Sequence, residues 1–458
     1  MSELALTNVD IDTAPLRVAL LGYRSYPYSG GQGIYIRYLS RALLAAGHQV
    51  DVISGEPYPE LDDPRIGLIK LPGLNLFGTD HHLAALRPRH LLSATDTFEW
   101  LSMATGGFPE PYTFGRRVAR FLADTAGQYD IIHDNQCLSW GTLSIQNSGT
   151  PLLTTIHHPI TWDRDIALSH APNWQQRLLI RRWHYFLKMQ SKVAARLQHI
   201  VTVSHRSKRD ICKAFGIGPE RIHVIHNGID TEVFRPEPAI ARNPWQLITT
   251  ASADQPLKGT QHLIPAFAGL VEKFPKVRLV FVGKPKSGGV TEKLIDRYRL
   301  ASRIRFVHGI NADEIRQLYA SSAIAIVPSE YEGFGLPAGE AMACAVPLVA
   351  TDGGALPEVV GNAGTVVPAG NPKALEEAIG ELLQTDSTGR ERQGHAGRQR
   401  ILNHFGWQRA AEEMTQLYHQ VIAANALGAN VHGANVLGAD AHGADAHGAG
   451  AHGADAHG

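Results

Sequence analysis

The stretch 322–367, SAIAIVPSEYEGFGLPAGEAMACAVPLVATDGGALPEVVGNAGTVV, constrains this chain more than any other, because its glycines, prolines and carboxylates together prescribe a strand, a loop and a helix. Residues 323–327 are a short apolar run with β-branched members, closed by Pro328 and Ser329, the pattern of a buried parallel strand. Gly333 and Gly335 let the following loop approach a ligand closely, and Leu336-Pro337 then opens a helix through Glu340 to about Ala345. The free amides of a helix start carry partial positive charge. At the carboxyl end of a parallel strand they form a seat for a phosphorylated ligand. Glu332 and Glu340 flank that seat. Pointed at a phosphate they would repel it, so their place is on sugar hydroxyls, and the implied ligand is a nucleotide sugar.

The run from Glu332 to Glu340 resembles the E-x7-E motif of the family 4 retaining glycosyltransferases (glycosyl transferases group 1), with Gly333, Phe334, Gly335 and Leu336 as the backbone between the two glutamates. The resemblance implies that Glu332 contacts the hydroxyls of the donor sugar and Glu340 the ribose. It also implies the GT-B fold, an α/β architecture of two Rossmann-like, doubly wound parallel-sheet domains facing a cleft.

The rest of the chain suits that reading. Its 458 residues allow two or three domains, and 44% hydrophobic with 19% charged residues is an ordinary globular mixture. Forty-three basic and 43 acidic residues cancel, so no global field recommends nucleic acid as a partner. Cys137, Cys212 and Cys344 are odd in number and widely spaced, which fits free thiols in a cytoplasmic protein. No stretch has the apolar length of a membrane span, and residues 1–15, without the build of a signal peptide, are expected to be disordered.

Residues 17–54 read as a strand, a glycine-rich loop, a helix and a second strand. Gly30, Gly31 and Gly33 match the family loop that faces the donor diphosphate. Residues 56–128 are the least legible; the His81-His82 pair there has no third ligand at a metal-binding spacing. His157 directly follows the apolar strand PLLTTI, at the sheet edge where open α/β folds hold ligands, and matches a family histidine near the transferred sugar. His158 reads as structural beside it. Lys258, between a strand and a helix, is expected on the diphosphate. Here the chain departs from the family pattern, which has an arginine six residues earlier, where this chain has Ser252. Lys286, in the loop after the strand at 278–283, is offered as a second diphosphate contact. The catalytic set is therefore His157, Lys258 and Glu332, with no metal and no cofactor beyond the nucleotide-sugar substrate.

The segment 174–199 reads as one basic amphipathic helix, a pattern that fits peripheral contact with an anionic membrane face and equally a crossover helix covering a sheet. The domain reading is an acceptor-side domain at 16–234, a linker at 235–244, a donor-binding domain at 245–405 and a helix at 406–423 crossing back. A five-residue repeat, ANALG to ADAHG, fills 424–458 with little apolar area and is expected to be disordered. The implied activity is a metal-independent hexosyl transfer to a glycan, lipid or small-molecule acceptor. The alternatives are a sugar-nucleotide epimerase of the same fold and a donor-binding protein of weak activity.

Overall fold

The structure is a computed structural model, which describes residues 14–26, 31–78, 87–251 and 254–442. Gly30, Ser252, the His81-His82 pair, residues 1–13 and residues 443–458 lie outside the described residues. The first sheet contains β1 (Arg17–Gly22), β2 (Gln49–Ser54), β3 (Gly67–Lys70), β4 (Ile131–Asn135), β5 (Leu152–Thr155), β6 (Ile200–Thr202) and β7 (Ile222–Val224). They lie in the order β3-β2-β1-β4-β5-β6-β7. The second sheet contains β8 (Asn243–Thr250), β9 (Arg278–Val282), β10 (Ile304–Val307), β11 (Ser322–Val327), β12 (Leu348–Thr351) and β13 (Thr365–Val367). Its order is β10-β9-β8-β11-β12-β13. All of these strand pairings are parallel.

Helices on both faces explain why central strands such as β4 and β11 are buried along their whole length. In each sheet the strand order reverses once, between β1 and β4 and between β8 and β11. A crevice opens at the carboxyl ends of strands where that happens. The loops that follow β1, β4, β8 and β11 therefore determine what the cleft holds.

The chain leaves the first domain earlier than its sequence suggests. Ile229 and Phe234 are buried with residues of the second sheet, Phe234 edge-on to Tyr319, so the crossing begins soon after β7. It returns beside itself: the Ile229 amide donates to the Phe405 carbonyl at 2.7 Å. From there the helix Trp407–His442 packs on the helix Gly31–Ala45, and Trp407, Met414, Leu417, Tyr418 and Val421 join the core of the first domain.

Two further expectations differ from the structure. The segment 174–199 is broken: helices Trp174–Trp183 and Leu187–Ala194 are joined by a 3-10 turn at His184–Phe186. Only the second half covers the sheet, with Leu187, Val193 and Leu197 buried, whereas Trp174, Leu178 and Leu179 are 71%, 58% and 60% exposed. The final helix runs through His442 instead of ending near residue 423. Its nucleation cost is already met by the packed turns at 407–421, and alanine, at least one in each repeat, is the strongest helix former.

Candidate active site

The second-domain wall is built at the β8/β11 switch point. After β8, a 3-10 turn at Pro256–Lys258 ends on Gly259, and the Leu257 carbonyl accepts from the Glu330 amide at 2.8 Å, which brings the two loops together. The Lys258 ammonium then donates to Glu332 Oε1 at 2.8 Å, and Ser329 Oγ donates to the same oxygen at 2.8 Å. Both of these bonds fall on Oε1. The Ala355 amide, donating to the Glu332 carbonyl at 2.9 Å, fixes the backbone behind it.

Gly335 caps the helix Leu336–Ala343 at φ +105°, a conformation that disfavours any side chain. The Phe334 ring points away from the cleft, 4% exposed, against Phe405 and His226, so this residue offers the cleft its backbone only. Leu336 packs on the same core. Glu340, in the second turn of that helix, is only half-buried by surface area, yet its dense surroundings push its carboxyl up to about 7. Its charge reaches Tyr38 of the first domain and Tyr319 of the second. Lys286 stands on the exposed loop after β9, which is tied down by its own backbone amide donating to Asp254 at 2.7 Å.

The first-domain wall comes from the ends of β1, β4 and β5. Gly33 lies in the first turn of the helix Gly31–Ala45, so close to the Tyr26 carbonyl (2.1 Å from a built Cβ) that no side chain fits, while Gly31 faces open space. His157 Nε2 lies 2.7 Å from Asn135 Oδ1, its backbone amide donates to Gln136 Oε1 at 2.7 Å, and its ring meets Tyr35 edge-on at 4.7 Å. Burial pulls this imidazole down to about 3, so it is neutral and suited to hydrogen bonding. Asn135 and Gln136 were not singled out from sequence, though their position directly after β4, beside the switch point, is a readable signal.

The two walls are clasped. Ser204 Oγ and Ser207 Oγ donate to the Gly333 carbonyl at 2.7 and 3.1 Å. Glu358 of the second domain accepts from the amides of His205 and Arg206, at the start of the first-domain helix His205–Phe215, at 2.8 and 2.6 Å. A cavity of about 400 Å³ is lined by His205, His226, Glu358, Arg400 and Phe405, beside the amides that Glu358 clasps. Among the described residues, no group of three or more His, Cys, Asp or Glu side chains is placed to hold a metal ion.

Two Rossmann-like domains closing on such a cleft define a GT-B glycosyltransferase. Residues 230–400 match the family described as Glycosyl transferases group 1, and residues 29–233 match Glycosyltransferase Family 4. Over 412 residues the chain is 43% identical to the MMP alpha-(1->4)-mannosyltransferase of Mycolicibacterium hassiacum, covering 89% of this chain and 99% of the relative. It is 28% identical over 445 residues to the D-inositol 3-phosphate glycosyltransferase 2 of Catenulispora acidiphila, covering 90% and 96%. Among solved structures, sucrose-phosphate synthase from Thermosynechococcus elongatus shares the fold with a TM-score of 0.67 at 24% identity, covering 89% and 99% of the two chains. HepE of Anabaena, solved with UDP and glucose, does so with 0.64 at 19%, covering 88% and 100%. The chain belongs to the group 1, family 4 glycosyltransferases. It is a retaining enzyme that moves a sugar from a nucleoside-diphosphate sugar to an acceptor.

Proposed function

We propose that the transferred sugar is mannose and that it is joined to its acceptor by an α-(1→4) bond. The observation that carries this is end-to-end relatedness, at 43% identity, to a mannosyltransferase of that linkage. In this reading Glu332 Oε2 and the Gly333–Gly335 backbone hold the sugar, Glu340 the ribose, and His157 a sugar hydroxyl. Lys258, the Gly31–Gly33 turn and the amides at the start of helix Leu336–Ala343 receive the leaving diphosphate as fixed dipoles and charge, in the place a divalent ion takes elsewhere. Lys286 is a further diphosphate contact. Support for these roles is that Lys258, Glu332 and Gly333 share one switch-point crevice that the His157 backbone carbonyl approaches from the opposite sheet.

The test is a panel of nucleoside-diphosphate sugars with mannoside and non-mannoside acceptors, read by mass spectrometry and by NMR of the new linkage. Mannose transfer with retained configuration, undiminished by a chelator, is expected; preference for another sugar overturns the mannose reading. Contact with an anionic lipid surface through 174–199 is a separate proposal, supported by exposed Trp174, Leu178 and Leu179 beside Arg177 and Arg181. Sedimentation with anionic against neutral vesicles tests it.

A further inference from the structure

The two histidines after β5 face opposite walls. His157 turns to Asn135 and Tyr35 within its own domain. His158 turns across the cleft: a Cβ built on Gly333 would stand 3.3 Å from His158 Nδ1 and 3.0 Å from the His157 carbonyl oxygen. The imidazole therefore lies against the glycine loop that follows Glu332. Its other nitrogen, Nε2, is 2.9 Å from Oδ2 of Asp163, in the helix Thr161–Ser169. That helix is fixed to the opposite domain, because Trp162 stacks on Tyr331 with ring centroids 5.6 Å apart and planes 13° apart. Tyr331 in turn donates its hydroxyl to Asp210 at 2.9 Å. Tyr331 is the residue before Glu332, so one short stretch anchors the His158–Asp163 pair and presents the donor-binding carboxylate.

We propose that His158 is a catalytic residue of the transfer step, an imidazolium whose Nε2–H is held by Asp163 and whose Nδ1–H donates to the phosphate oxygen that leaves the sugar. This rests on the reading that Lys258 and Gly333 seat the donor. In the step, the bond from the sugar C1 to the phosphate oxygen breaks, its electron pair going to that oxygen. The acceptor oxygen bonds to C1, the acceptor proton passes to the departing phosphate, and His158 keeps its own protons throughout. Asp163 is a positioning residue, since it acts only through the ring.

The charges around the ring agree. Lys258 and Glu332 face it from the second domain and largely offset one another at 2.8 Å, which leaves Asp163 to decide the balance. Burial works against the charged ring, but the Asp163 carboxylate outweighs it and holds His158 above the ordinary histidine range. On the first-domain side, His184 bears on Asp163 and neutral His157 adjoins.

The experiment is the pH dependence of kcat and of donor KM for wild type, His158→Gln and Asp163→Asn, with a melting curve for each. Wild-type kcat is expected to fall as pH rises through the raised value of His158, since the donating proton is then lost. His158→Gln should lower kcat about 10²-fold and lack that limb. Its donor KM should stay within about threefold of wild type, the pattern of an interaction made in the transition state. Asp163→Asn should move the limb to lower pH, because burial then acts unopposed. Wild-type kcat in His158→Gln, or persistence of the alkaline limb in it, overturns the proposal; an unmoved limb in Asp163→Asn removes the role of the carboxylate. Failure of the wild type to consume any nucleotide sugar would instead sink the donor reading and this proposal together.

Discussion

Lys258 and Glu332 meet at 2.8 Å across the switch point of the second sheet, so the charge proposed for the diphosphate and the carboxylate proposed for the sugar are held by one another. Lys258→Ala is expected to lower kcat by roughly 10²–10³-fold, the cost of losing one preorganised charge at the leaving group. Glu332→Ala should lower kcat and raise donor KM, since Lys258 then loses its orientation too. The double variant should lose less than the sum of the two, because the residues act as a pair. Steady-state kinetics of the three variants checks this, and wild-type values in both single variants would dismiss the site.

Glu340 gives a pH dependence of opposite sense to that of His158. In the proposed role on the donor ribose, a carboxyl held at about 7 is increasingly protonated in mild acid and accepts poorly from hydroxyls. Donor KM should therefore fall as pH rises between about 6 and 8, a carboxyl raised by burial being the titrating group. Glu340→Gln should show weaker and pH-independent donor binding. A raised folded value also means that stability is fully present below the ordinary glutamate value and is lost as pH rises through about 7. Glu340→Gln should accordingly melt higher than wild type in mild alkali.

Glu358 clasps the domains through two amides at the start of helix His205–Phe215. Glu358→Ala should cost about 1–2 kcal/mol, the range for losing a helix cap, or roughly 2–8 °C in melting temperature for domains of this size. Burial works against its charge, but His226 and the two amides outweigh it and hold the carboxyl below the ordinary glutamate range. Its contribution is therefore present above the ordinary glutamate value and lost as pH falls through the folded one. The melting difference between variant and wild type should narrow in acid; a difference that widens would place the clasp elsewhere.

Between Val421 and Leu427 the described contacts of the final helix thin out: the Asn425 amide donates to the Gly149 carbonyl at 2.7 Å, and Leu427 is 68% exposed. Ending the chain after Leu427 should leave turnover unchanged and shift the melting temperature by less than about 2 °C, as for other surface changes. A larger drop would mean that the repeat packs on the body.

Short-range signals were legible and long-range ones were not. The strand, glycine loop and helix around Glu332 and Glu340 are set by neighbours within a few residues, so the sequence specifies them almost directly. The pairing of His158 with Asp163 across one turn is also local, but its meaning depends on Gly333 arriving from a different domain, which no spacing announces. Glu358 reads as an ordinary glutamate in a five-residue helix until the closed seam brings His205 and Arg206 to it. The strand β3 escapes the eye because its four residues are neither alternating nor strongly apolar in outlook, two being Gly67 and Lys70 at its ends. The break at 184–186 hides for another reason: both halves keep an apolar stripe, and only packing reveals that one of them has no sheet beneath it.

Trp407, Met414, Leu417, Tyr418 and Val421 complete the core of the first domain, although they are among the last described residues to be made. A nascent chain leaving the ribosome can therefore finish its second half before its first. Until the closing helix emerges, the rings of Tyr35 and Tyr38, which Trp407 meets in the finished fold, wait without that partner for hundreds of residues of synthesis. An expression product cut at the apparent domain boundary would lack Trp407, Met414, Leu417, Tyr418 and Val421 from that core permanently.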